Sequence, residues 1–126
     1  MKYTKATNYA LHTMLIMAKN ADERISVQHL AEKQDLSPTY LSKILTKLVK
    51  GGFISSFSGA HGGYALPQNW ENISFLDIIH CMEGKSSLFE CCLNEEEECS
   101  IKKVMLLAEE KMEADLKGTR ISDLIR

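Results

Sequence analysis

The chain has 126 residues, 44% of them hydrophobic and 25% charged, with a net charge of −2. That length allows a single core of ordinary domain size. No apolar run approaches the roughly 20 residues of a membrane span, and no signal-peptide block precedes the first helical pattern, so a cytoplasmic protein with no membrane partner and reduced thiols is expected.

The predicted elements follow in order. From Lys5 to Lys19, Ala10, Met14 and Met17 form one helical row with Leu11, Leu15 and Ala18 beside it. Ser26 is an N-cap for a short helix from Val27 to Gln34 that turns Leu30 and Ala31 inward. After the tight turn at Asp35-Leu36, Ser37-Pro38 supplies an N-cap with proline at the first helical position. This third helix reaches about residue 49, carries Leu41, Ile44, Leu45 and Leu48 on one face, and stops at Gly51-Gly52. The period then changes. Residues 53–57 read as a strand and residues 62–66 as its return, with Ser58-Gly59-Ala60-His61 as the tip. Ser74-Phe75-Leu76-Asp77 has the form of a capping box, opening a helix with Phe75, Ile78, Ile79 and Met82 inward, up to Gly84. A loop of Cys and Glu covers 85–99. A long helix over 100–117 bears a seam of Ile101, Met105, Ala108 and Met112, flanked by Val104 and Leu116, and Gly118 ends it. Ser122-Asp123-Leu124-Ile125 adds a final turn.

Two short helices joined by a tight turn form a helix-turn-helix pattern, and a glycine-rich hairpin after it makes the winged arrangement. The third helix anchors through its apolar face and offers Thr39, Tyr40, Ser42, Lys43, Thr46 and Lys47 on the other. Side chains near the helix start lie closest to base edges, so Thr39, Tyr40 and Lys43 are the first candidates, with Ser37 and Lys47 beside them. A solvated polar face would show the same residues; the hairpin is what favours DNA. Charge agrees. Residues 1–70 hold eight Lys/Arg against four acids, whereas residues 71–126 hold seven against thirteen. A basic front attracts phosphates despite a slightly acidic total, because salt confines each field to about 10 Å.

Three segments, Ser37-Pro38-Thr39-Tyr40-Leu41, Gly51-Gly52-Phe53-Ile54 and the run from Gly59 through Gly62-Gly63-Tyr64-Ala65-Leu66, resemble the winged-helix regulators that include IscR, NsrR and CymR, the Rrf-two family. The resemblance continues through Ile78-Ile79, Glu83-Gly84, the cysteine loop, the long helix and Ser122-Asp123-Leu124. It implies a mainly α protein: a winged helix-turn-helix of three helices plus a two-stranded wing over 1–70, and a helical sensor and dimerisation region over 71–126. It also implies a homodimer joined through the C-terminal long helix, usually a repressor, on double-stranded DNA with dyad symmetry. In the wing, Ser58, His61 and Gly62 are the implied DNA contacts. Family members commonly carry arginine just before the first wing glycine, where this chain has Ser58.

By the same resemblance, Cys91, Cys92 and Cys99 fall in the loop where iron–sulfur members hold a cluster. Cys92 is adjacent to Cys91, and Met105 stands where a further cysteine would be. Thiolates suit iron–sulfur clusters or zinc, but Glu95 to Glu98 place four negative charges beside them, which disfavours thiolates and an anionic cluster. A bridge from Cys99 to Cys91 or Cys92 is less strained than a vicinal one. Cluster, thiol switch, zinc and no sensing role all stay open, and the cofactor is unknown, with none favoured. Cys81 reads as a small core residue. His12, His29, His61 and His80 are scattered without a phosphate cradle, nucleophile elbow or Cys-x-x-Cys pair, so no enzyme is expected. The alternative is a winged-helix module acting through protein partners, supported by Ser58 and the mild net charge.

Overall fold

The computed structural model describes residues 1–88 and 100–125. Helix α1 (Lys5–Lys19) starts at Thr4, whose hydroxyl accepts from the Thr7 N–H. Glu83 completes this cap from a distant part of the chain. Its carboxylate accepts from the Thr4 N–H at 2.8 Å, the Thr4 hydroxyl at 2.7 Å and the Thr7 hydroxyl. Burial pushes the Glu83 carboxyl up, but these bonds and the Lys47 charge outweigh it and leave the group below its ordinary range.

Ser26 and Ser37 cap α2 (Val27–Gln34) and α3 (Pro38–Lys50), each accepting a backbone N–H three residues on. Between them Asp35 adopts the left-handed conformation at φ 55°, a turn that Asp tolerates better than most residues. Leu41, Leu45 and Leu48 of α3 are wholly buried, as is Leu30 of α2, and α3 packs on α1, α2 and α4.

The hairpin pairs β1 (Ser55–Phe57) with β2 (Gly63–Ala65) in antiparallel register, Ser56 opposite Tyr64. Its strands are shorter than the 53–57 and 62–66 expected. The Phe53 N–H is spent on the Leu48 carbonyl at the end of α3, and the Gly62 N–H closes the tip on the Gly59 carbonyl. Ile25 adds an isolated antiparallel rung to β2: its N–H donates to the Tyr64 carbonyl and its carbonyl accepts from the Tyr64 N–H, at 2.9 and 2.8 Å.

After a 3-10 turn at Trp70–Asn72, which the sequence did not signal, α4 (Phe75–Glu83) opens with the expected capping box. Asp77 N–H donates to Ser74 Oγ at 3.1 Å and Ser74 N–H to Asp77 Oδ2 at 2.9 Å. Ser74→Ala should therefore lower stability by about 1 kcal/mol, readable in urea titrations; an unchanged midpoint would mean the box is redundant. Leu76, Ile78, Ile79 and Met82 are the buried residues of α4; Phe75 lies only half-buried, at the edge of a cavity.

Helix α5 (Ser100–Lys117) packs on α4 and carries its apolar seam outward, Ile101 74% and Val104 64% exposed. Among its described residues only Glu109 is buried. A last 3-10 turn, Ile121–Ile125, returns to α1, with Ile121 buried and its N–H on the Ile73 carbonyl. One apolar cluster thus runs from Met1, Ala10 and Met14 through Leu45 and Leu48 to Ile78 and Ile121. No helix among the described residues is long and apolar enough to cross a membrane.

Candidate nucleic-acid interface

Helix α3 divides its sides as an anchored reading helix must. Leu41, Ile44, Leu45 and Leu48 are buried, while Thr39, Tyr40, Lys43, Thr46 and Lys47 are exposed. Ser37 spends its hydroxyl on the Tyr40 N–H, so its contribution is a rigid helix start whose N-terminal N–H groups can receive a phosphate. The Ser42 and Thr46 hydroxyls donate back to the Pro38 and Ser42 carbonyls, both at 2.8 Å, which holds them against the helix. Tyr40 is set edge-on to Tyr9 of α1, ring centroids 6.0 Å apart and planes at 89°. Thr39 and Lys43 are exposed and have no side-chain partner among the described residues.

Lys47 faces a different neighbourhood. Together with Lys50, His80, Cys81 and Lys85 it lines an open cleft of about 530 Å³ between α3 and α4. The Cys81 thiol, half-buried here, donates to the Lys47 carbonyl at 3.4 Å. Burial pushes that thiol up, with the Lys47 charge offsetting part of the rise.

The second group of candidates sits at the hairpin tip, where Ser58 and His61 are exposed. A Cβ on Gly62 would lie 2.4 Å from the Phe57 carbonyl oxygen, so that position is needed for the turn itself. One neighbour of the tip was absent from the sequence-based candidates. Arg24, from the link between α1 and α2, lies with its guanidinium carbon 3.7 Å from the Phe57 ring centroid and donates from Nη1 to the His61 carbonyl at 3.2 Å. Nothing local in the sequence ties Arg24 to residues 37 positions away.

The Rrf2 family model, described as an iron-dependent transcriptional regulator, matches residues 3–126. The chain belongs to the Rrf2 family. Among its relatives, protein rrf2 of Nitratidesulfovibrio vulgaris is 35% identical over 100 residues, 79% of this chain but 65% of that protein's length. CymR of Bacillus subtilis is 30% identical over 125 residues, 98% of this chain and 89% of that one. The solved structure of that CymR, the global cysteine regulator of B. subtilis, superposes with a TM-score of 0.86 over 98% of this chain and 95% of its own. T. potens IscR follows at a TM-score of 0.81 and 26% identity, covering 99% and 86%. The mainly helical winged fold and the assignment to DNA-binding transcription regulators are thereby established for this Rrf2 chain.

The family description raises the question of iron. Among the described residues, no group of three or more His, Cys, Asp or Glu side chains is placed to hold a metal ion. The candidate ligands Cys91, Cys92 and Cys99 lie outside the described residues. Cys81 shares its cleft with Lys47, Lys50 and Lys85 as well as with His80 and Asp77, and these do not form such a group. The described residues therefore do not build an iron site.

Proposed function

We propose that this chain is a sequence-specific, non-catalytic, cytoplasmic DNA reader that works as a homodimeric repressor on dyad-symmetric sites. The observation that carries the reading is α3: four buried anchors on one side and, on the other, Thr39, Tyr40 and a Lys43 with no ion pair among the described residues, beyond a capped N-terminus. In this division of labour residues 1–70 read DNA and residues 71–126 join the protomers. Support for the second part comes from α5, whose exposed Ile101, Val104, Met105 and Met112 recur at helical spacing. The stripe adjoins an apolar cavity of about 770 Å³ between α1, α4 and α5, lined by Leu11, Phe75, Ile79, Met112 and Leu116. A second copy contributing the same helix would cover both, and a two-fold axis would space two α3 helices for half-sites about one duplex turn apart.

The test is selection of bound duplexes from a random pool, followed by affinity measured against salt. A dyad-symmetric sequence should be enriched, and its affinity should fall steeply with ionic strength as counterions are released. Lys43→Ala should weaken binding to that duplex about tenfold. No enriched sequence and a flat salt response would sink the reading and favour the protein-partner alternative.

A further inference from the structure

We infer that Arg24 is the DNA-contacting cation of the hairpin, supplied from the α1–α2 link and presented at the tip for the minor-groove edge of A·T base pairs. This rests on the DNA reading above and adds a residue and a base preference to it.

Between Gly51 and Leu66 the chain has no Lys or Arg. A duplex meeting the hairpin would find only the His61 ring, were Arg24 not there. Three contacts put it there. Ile25, the next residue, is locked to Tyr64 by two backbone hydrogen bonds, so the Arg24 backbone travels with the hairpin. The guanidinium lies over the exposed Phe57 ring at 3.7 Å, and Nη1 donates to the His61 carbonyl. Stacking on one face and a single hydrogen bond leave most of the five N–H donors unused. Among the described residues Arg24 enters no ion pair, although Asp22 and Glu23 precede it.

A planar, weakly hydrated cation held by stacking is what a narrow minor groove attracts, and lysine does not substitute for it well. When a helix occupies the major groove, flanking segments reach the adjacent minor groove. The shape preference is for A·T-rich steps, whose groove is narrow and strongly negative. A phosphate contact would use the same charge but would carry no base preference.

The experiment uses the duplex enriched by the wild-type chain, made in two forms with A·T or G·C pairs at the positions flanking each half-site. Wild type should bind the A·T form about tenfold more tightly. Arg24→Ala should lose about tenfold on the A·T form and bind both forms alike. Arg24→Lys should keep the salt dependence without the preference, and Arg24→Ala with Ser58→Arg should regain part of it. Phe57→Leu, which removes the stacking ring and leaves Arg24, should give an intermediate loss; matching thermal melts exclude misfolding. An unchanged preference in Arg24→Ala overturns the inference. So does an equal loss on both forms that Arg24→Lys restores, which marks a phosphate contact. Failure of wild type to enrich any duplex would be seen before these variants are made, and would overturn the DNA reading itself.

Discussion

Replacing Glu109 by Gln is expected to cost about 3 kcal/mol, because it strands a buried ammonium. The Met1 amino group donates to Glu109 Oε2 at 2.5 Å, and the two groups are only 6% and 5% exposed. The same carboxylate accepts from the Leu88 N–H and the Ser87 hydroxyl, and the ammonium also reaches the Ser86 carbonyl. One buried pair thus ties the N-terminus, residues 86–88 and the middle of α5 together. The Met1 hydrogen bond first, then that of Leu88, hold the Glu109 carboxyl down at about 2 against the upward push of burial, with Ser87 adding to the lowering. A carboxyl lowered on folding stabilises above its unfolded value, near 4.5, and that contribution is lost as pH falls toward 2. Denaturant titrations should therefore show a gap between wild type and Glu109→Gln that is full at pH 7 and narrows from about pH 4.5 downward. A gap independent of pH would mean that the pair contributes packing and not charge.

A comparable loss is expected at Gly63. Its φ is +131°, and a Cβ there would sit 2.8 Å from the Ile25 carbonyl oxygen, in the rung that docks the hairpin. Gly63→Ala combines backbone strain with a clash against main chain and should cost about 3 kcal/mol. Gly59 is the internal control: its φ is also positive, at +91°, but a Cβ meets nothing within 4 Å. Gly59→Ala should cost about 1 kcal/mol. Equal melting-temperature losses in the two variants would refute the clash. Since Arg24 is carried by the same rung, Gly63→Ala should also reduce discrimination between A·T and G·C flanks.

Elements with local signals were legible in the sequence. Ser26, Ser37-Pro38 and the Ser74–Asp77 box mark helix starts because a side chain there must satisfy a free N–H, and each does so in the structure. The four anchors of α3 followed from helical period and are buried as a set. What could not be read were contacts made only by the closed fold. Glu83 capping α1, Glu109 holding Met1 and Arg24 resting on Phe57 join residues far apart in the chain, and none leaves a periodic trace. Phe75 illustrates a smaller limit. Both Phe75 and Leu76 are apolar at the start of α4, yet Leu76 is buried while Phe75 is half-buried at a cavity, a difference that local sequence does not carry. For the candidate site, the exposed polar side of α3 follows from helical period, but the cleft that Lys47 shares with Cys81 and the placement of Arg24 do not.

The return of residues 121–125 to α1 has a consequence for synthesis. Ile121 belongs to the same apolar cluster as Ala10 and Met14, and the Met1–Glu109 pair spans 108 positions. A chain emerging residue by residue can pair α2 with α3 early, because those contacts are close in sequence. Burial around α1 is completed only when residue 121 arrives. Until then the nascent polypeptide leaves uncovered a part of the apolar cluster that Ile121 helps to bury, and such transiently exposed surface favours aggregation.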